Sequence, residues 1–239
     1  ASSMGDLRFN RDWSDNSVSR IIQDYQHDQL VLDQLHAMDL NGLDELNRIN
    51  YKLFKKQYEN SVESFDYQAY LMPFSHRGGI QLEHETVNIL PLRNAGHYDD
   101  WIARLSKLEV LVDAEIEKAR MGIETGTVPP RFLMQKVFEQ IKLQAYVSPE
   151  TSPFYRAFES MDRSIDPGEV LAIQARAKEV IKNQVIPAYL KLHQFFEDEY
   201  LAACRTSIGI KDINNGKQYY EFLARKFTTT SLTPQEIHN

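Results

Sequence analysis

The stretch YDDWIARLSKLEVLVDAEIEKARMGIE, residues 98–124, decides the fold class. Trp101, Ile102, Leu105, Leu108, Leu111, Val112, Ile116 and Ile123 recur every three or four residues and fall on one stripe. That spacing is the signature of an amphipathic helix with one buried face. Gly126 stands where such a helix closes with a left-handed residue.

The same period runs outward in both directions. Ser17 to Met38 reads as a helix through Ile21, Ile22, Tyr25, Leu30, Leu32 and Leu35, ended by Asn41-Gly42. A second helix is expected from about Leu43 to Phe65, with Leu46, Ile49, Leu53, Phe54, Tyr58, Val62 and Phe65 along one side. Tyr70 to Phe74 ends that pattern, and Arg77-Gly78-Gly79-Ile80-Gln81 reads as a turn. After Pro129-Pro130 a shorter helix runs through Phe132, Leu133, Val137, Ile141 and Leu143. Ser148 to Asp166 is loop plus a short helix. Asp166-Pro167-Gly168-Glu169 has the N-cap, first-turn proline and acidic third residue of a helix start. It opens a long helix to about Ala203, in which Pro187 removes a backbone donor and predicts a kink. A connector from Gly209 to Gly216 and a helix from Tyr219 to Phe227 follow. Ile208 to Ile213 is the only β-leaning segment. Residues 1–239 therefore read as a single all-α region, an antiparallel array of long helices with one kinked helix and irregular connectors.

Composition narrows the function classes. The chain has 239 residues, 42% hydrophobic and 26% charged, enough for a real core. Lys and Arg number 27 against 34 Asp and Glu, a net charge of −7, and no basic block occurs. Nucleic acid and anionic membrane both require a positive face, so neither is an expected partner. No apolar run reaches the ~18 residues of a membrane span. A single cysteine, Cys204, excludes an internal disulfide and any multi-cysteine zinc site; it reads as a buried structural thiol.

Catalytic motifs are missing from these residues. His84-Glu85 begins the helical zinc pattern, but the position four residues after His84 is Asn88. None of the seven histidines pairs with another at a spacing of three or four. His84 reads as a surface residue beside a turn. There is no nucleophile elbow and no glycine-rich phosphate loop. Arg77-Gly78-Gly79 offers backbone N–H groups and a guanidinium to an anion, although the same residues make a plain tight turn. Glu83 with Glu85, and Glu197-Asp198-Glu199, supply carboxylates; the second set falls on a long helix and reads as a solvated face. Tyr189, Phe195, Phe196 and Tyr200 read as core. Catalytic and metal-ligating residues are both expected to be none.

The last residues carry their own signal. Thr233-Pro234-Gln235-Glu236 has the N-cap, proline and glutamate of a capping box, followed by only Ile237, His238 and Asn239. A helix begun and carried one turn predicts a chain that belongs to something longer.

Three stretches carry a family resemblance. They are Ala1 to Asn10 with Trp13-Ser14-Asp15; Pro73-Phe74 with Arg77-Gly78-Gly79-Ile80-Gln81; and Asn215-Gly216-Lys217 leading through Tyr219-Tyr220, Leu223, Arg225 and Thr228-Thr229-Thr230 to Leu232-Thr233-Pro234-Gln235-Glu236-Ile237-His238. In this order they resemble the N-terminal half of the bacterial family catalogued as domain of unknown function 885. The resemblance implies a mainly helical protein at least twice this long, truncated here at both ends, similar in character to helical zinc metallopeptidases of the gluzincin type. It places a metal motif, His-Glu-x-x-Pro-Gly-His-His, downstream of the threonine run, so zinc is expected in the C-terminal half and no cofactor in this chain. It also implies export to the bacterial periplasm or the outer membrane as a lipoprotein.

Under that resemblance this half forms one wall of a substrate cleft, with a peptide substrate and its own C-terminal half as partners. Arg77, Gln81, Tyr219, Tyr220, Arg225 and Thr228 are then the candidate substrate-binding residues; an arginine that grips a carboxylate bidentately would orient a peptide end. The competing reading keeps Tyr220 and Leu223 as packing, Arg225 as a carbonyl cap and the threonines as a turn. The rival for the whole chain is a non-enzymatic helical interaction module.

Overall fold

The computed structural model describes residues 6–239, and all the elements named here lie within them. The first five residues of the resemblance, Ala1 to Gly5, fall outside the described part. The opening hairpin pairs α1 (Val18–His36) with α2 (Glu45–Asp66). Ser17 and Asp44 cap the two N-termini by accepting from the backbone N–H three residues on. Neither helix has a deep core: α1 buries only Leu35 and α2 has no buried residue. Leu30, Leu46 and Leu53 are each more than 60% exposed.

A turn follows, in which Gly79 adopts φ 120°, a conformation that glycine alone takes without strain. It feeds a ten-residue 3-10 segment, Ile80–Ile89, where a plain turn was expected. The stretch that decides the fold forms two helices, not one: α3 (Ala95–Leu105) and α4 (Leu108–Thr125). At the break Ser106 Oγ donates to the Ala103 carbonyl at 2.8 Å, and Lys107 forms an ion pair with Asp12. The apolar stripe crosses this break intact, because Leu105 and Leu108 are both fully buried. Periodicity therefore could not reveal it. Gly126 closes α4 in the left-handed region, φ 72°, as expected.

Helix α5 (Arg131–Ala145) buries Met134, Val137, Ile141 and Ala145, whereas Phe132 and Leu143 of the expected stripe face outward. A short α6 (Arg156–Glu159) leads to α7 (Pro167–Val180), capped by Asp166. The irregularity expected at Pro187 takes the form of a π-helical turn, Ile181–Val185, just ahead of it. Helix α8 (Ile186–Phe195) is followed by a second π turn, Phe196–Tyr200, and by α9 (Leu201–Ala203). The β-leaning segment carries a 3-10 turn, Ile210–Asp212, and no strand occurs among the described residues. Helices α10 (Gly216–Thr228) and α11 (Pro234–His238) complete the chain. The Thr233–Glu236 capping box is formed in both directions.

The core lies where α7 packs on α3, and α8 on α4 and α5. Trp101, Tyr189, Tyr200, Phe154, Phe158 and Phe196 are its largest fully buried side chains. Each contributes on the order of 1.5–3 kcal/mol by leaving water. The aromatic stripe of the long helix is core, as read from the sequence. Helix α4 also touches the 69–71 turn directly: a Cβ on Gly122 would meet the Leu71 carbonyl oxygen at 2.5 Å.

Candidate functional site

The candidate substrate residues separate into two places. Gln81 opens the 3-10 segment and is fully buried. Its Nε2 donates to the Ser75 carbonyl at 2.6 Å and to Gln140 Oε1 at 3.2 Å. Gln144 continues this set, donating from Nε2 to His84 Nδ1 at 3.1 Å. Arg77, two residues before Gly79, is exposed on the turn.

His84 is half-buried against Phe154, not at the surface. Burial lowers its pKa, in keeping with an Nδ1 that accepts a hydrogen bond. Cys204 is buried, and desolvation pushes its thiol up to about 12. Glu197, Asp198 and Glu199 are the exposed residues of the second π turn, whose Phe196 and Tyr200 are buried, and Glu199 pairs with Arg120.

The other candidates lie on α10. Tyr219 is half-buried and packs its ring 5.1 Å from that of Tyr67. Tyr220, one residue on, points elsewhere and is 43% exposed. Arg225 forms an ion pair with Glu63 of α2. Thr228 Oγ1 donates to the Ala224 carbonyl at 2.7 Å and meets Thr230 Oγ1 at 2.9 Å. Its hydroxyl thus serves the helix end, and Thr229 turns the chain with φ 57°.

Between α1, α2 and α10 lies a cavity of about 320 Å³, lined among others by Tyr25, Asp28, Ser61, Tyr70, Tyr219 and Lys226. Its aromatic floor is built from stacked pairs: Tyr25 on Phe65 at 4.0 Å and Phe65 on Tyr70 at 5.6 Å. Burial raises the pKa of Tyr70 and Tyr219, which keeps both phenols protonated as donors. The groove thus offers ring faces, phenolic hydroxyls, the Lys226 ammonium and the Asp28 carboxylate, which already accepts from the Ser61 hydroxyl. Tyr25, Asp28, Tyr70 and Lys226 carry no sequence signal for this role; only folding the hairpin against α10 brings them together.

Among the described residues no group of three or more His, Cys, Asp or Glu side chains could hold a metal ion. His84, its Nδ1 engaged by Gln144, does not fit a zinc site with Glu85.

Among the described residues these features define a helical fold with a small, aromatic-lined groove at the junction of its N-terminal hairpin and a late helix. The family model of bacterial proteins of unknown function, DUF885, matches residues 1–239, and the chain belongs to that family. The fold is shared with a crystal structure of a "putative lipoprotein" from Colwellia psychrerythraea, with a TM-score of 0.82 at 20% identity. That match covers 93% of this chain and 40% of the other, so the chain spans less than half the length of the solved protein. No curated protein matches it.

Proposed function

We propose that this chain is the non-catalytic helical half of a zinc-dependent metallohydrolase acting on peptides, and that it forms one wall of the substrate cleft. The observation that carries the reading is the groove between α1, α2 and α10, where Tyr219 sits among aromatic faces with Asp28 and Lys226 at hand. Stacked rings and hydroxyls hold a peptide without reading its sequence, while the two charges fix its direction. Arg225, tied to Glu63, positions α10 against α2; Tyr219 provides the contact surface. Zinc would supply the activated water from the other half of the cleft, where the family resemblance puts its motif. Arg77, exposed on its turn, lies outside the residues that line this groove. The solved relative's description as a lipoprotein supports a place in the bacterial envelope. No described helix is long and apolar enough to cross a membrane.

The test uses the native polypeptide that contains these residues. Zinc-dependent cleavage of peptides, abolished by a chelator and restored by zinc, is expected. Tyr219→Ala should raise KM with little change in kcat. A polypeptide without the His-Glu motif, or one that holds zinc and leaves peptides intact, overturns the proposal. The non-enzymatic alternative draws on the exposed Leu30, Leu46 and Leu53 of the hairpin. It requires the residues described here to fold as a monodisperse cooperative unit and to retain a protein partner without any hydrolysis.

A further inference from the structure

A second cavity, of about 630 Å³, lies between residues 9–16, the 3-10 segment and α3. Arg104 of α3 is on its wall and is only 7% exposed, yet no carboxylate of the described residues comes within ion-pairing distance. A buried guanidinium left without a counter-ion is costly. Two contacts hold it: Nη2 donates to the Phe9 carbonyl at 2.9 Å, and the guanidinium lies 5.3 Å from the Trp13 ring centroid. Its Nε and the indole Nε1 of Trp13 are both buried without an acceptor.

Glu83 faces the same cavity from the 3-10 segment. It too lacks a cation within ion-pairing distance among the described residues; its one partner is the Thr86 hydroxyl, which donates to Oε2 at 2.8 Å. Burial lowers the Arg104 pKa and raises that of Glu83; the attraction between the two charges opposes both shifts, yet they do not close into a pair. The acids at the rim are already engaged, Asp12 with Lys107 and Asp15 with the Ser17 N–H at 3.0 Å. Phe9, Trp13, Ile89 and Leu111 supply apolar lining beside the polar Ser14, Asn16 and Thr86.

We propose that this cavity binds a small zwitterion, a free α-amino acid with an apolar side chain, its carboxylate at Arg104 and its ammonium at Glu83. Opposite charges that share one cavity without pairing, beside apolar side chains, match the two ends of such a ligand, and each gains the partner the protein withholds. The site is separate from the peptide groove and does not rest on the hydrolase reading; either can fail alone.

Calorimetric titration of the intact protein with L-leucine and L-phenylalanine tests it, beside N-acetyl-L-leucine and L-leucinamide, each of which lacks one charge. The amino acids should bind, and each blocked analogue should bind at least about tenfold more weakly. Because substituting Arg104 would also free residues 9–13, Glu83→Gln is the deciding variant. It should abolish the preference for L-leucine over the N-acetyl form while the protein remains folded. No binding of either amino acid, or equal binding of the blocked forms, overturns the proposal and leaves Arg104 as a clamp on residues 9–13.

Discussion

Tyr189, in the middle of α8, donates its phenolic hydrogen at 2.6 Å to the carbonyl of Ile80, 109 residues earlier. Both groups are buried, and the bond fastens the start of the 3-10 segment to the central helix. Tyr189→Phe removes this buried bond, while the carbonyl keeps its place in the 3-10 ladder, and should lower stability by about 0.5–1.5 kcal/mol. Chemical denaturation against the wild type measures it, with the midpoint shifted and the slope unchanged.

Gly122 is where α4 runs against the backbone of the 69–71 turn. Alanine there needs a carbonyl to move, so Gly122→Ala should destabilise the protein by about 1–3 kcal/mol, despite alanine's better helix propensity. Gly78, where an added Cβ would find nothing within 4 Å, provides the control. Its alanine variant should stay within about 0.5 kcal/mol in the same thermal melts.

The acid side of the stability profile should carry the mark of His84. Unfolded, it takes up a proton near its ordinary pKa of 6.5; folded, burial delays that uptake to lower pH. Stability is therefore full above this window and falls as pH drops below about 6.5 through the folded pKa. Glu83 acts in the opposite sense, because burial raises its folded pKa and its contribution fades as pH rises through that value. His84→Gln should flatten the fall on the acid side, and Glu83→Gln the fall above the ordinary glutamate range. Melting temperatures across pH separate the two.

Cys204 should be inert in the folded protein. With its thiol buried and pushed up to about 12, almost no thiolate exists at neutral pH. Alkylation by iodoacetamide, followed by mass spectrometry, should require denaturant. Rapid labelling under native conditions would show that the α9 region opens.

The α1–α2 hairpin should exchange its amide hydrogens far faster than α8. It buries one residue over two helices, whereas α8 buries half of its ten. Hydrogen-exchange mass spectrometry would resolve the difference, and equal protection would contradict it.

The helices were legible because their apolar stripes keep the helical period, and their starts because Ser17, Asp166 and Thr233 carry capping chemistry. What escaped was set by tertiary contacts. The Ser106–Lys107 break leaves the stripe of residues 98–124 unbroken. The long 3-10 segment depends on Gly79 and on buried glutamines, which no local pattern announces. Leu46, Leu53, Phe132 and Leu143 match an apolar stripe but lie outward, since period alone does not say whether a neighbour covers it. The groove was half visible: Tyr219 stood in a recognisable motif, whereas Asp28 and Lys226 are ordinary surface charges in sequence.

The two π turns of the long helix are in effect phase shifters. Each adds about one residue to a turn and so rotates everything downstream by roughly 100° relative to a regular helix. That is why one continuous run, residues 167–203, addresses α3 with its first third, α4 and α5 with its middle and α5 again at its end. A strictly regular helix would carry a single stripe past all three and leave part of it facing water. Removing one residue from Ile181–Val185 would improve the local hydrogen-bond ladder and still misdirect Tyr189, Leu192 and Phe196 together. The helix is imperfect in its own terms so that its side chains arrive in step with those of its neighbours.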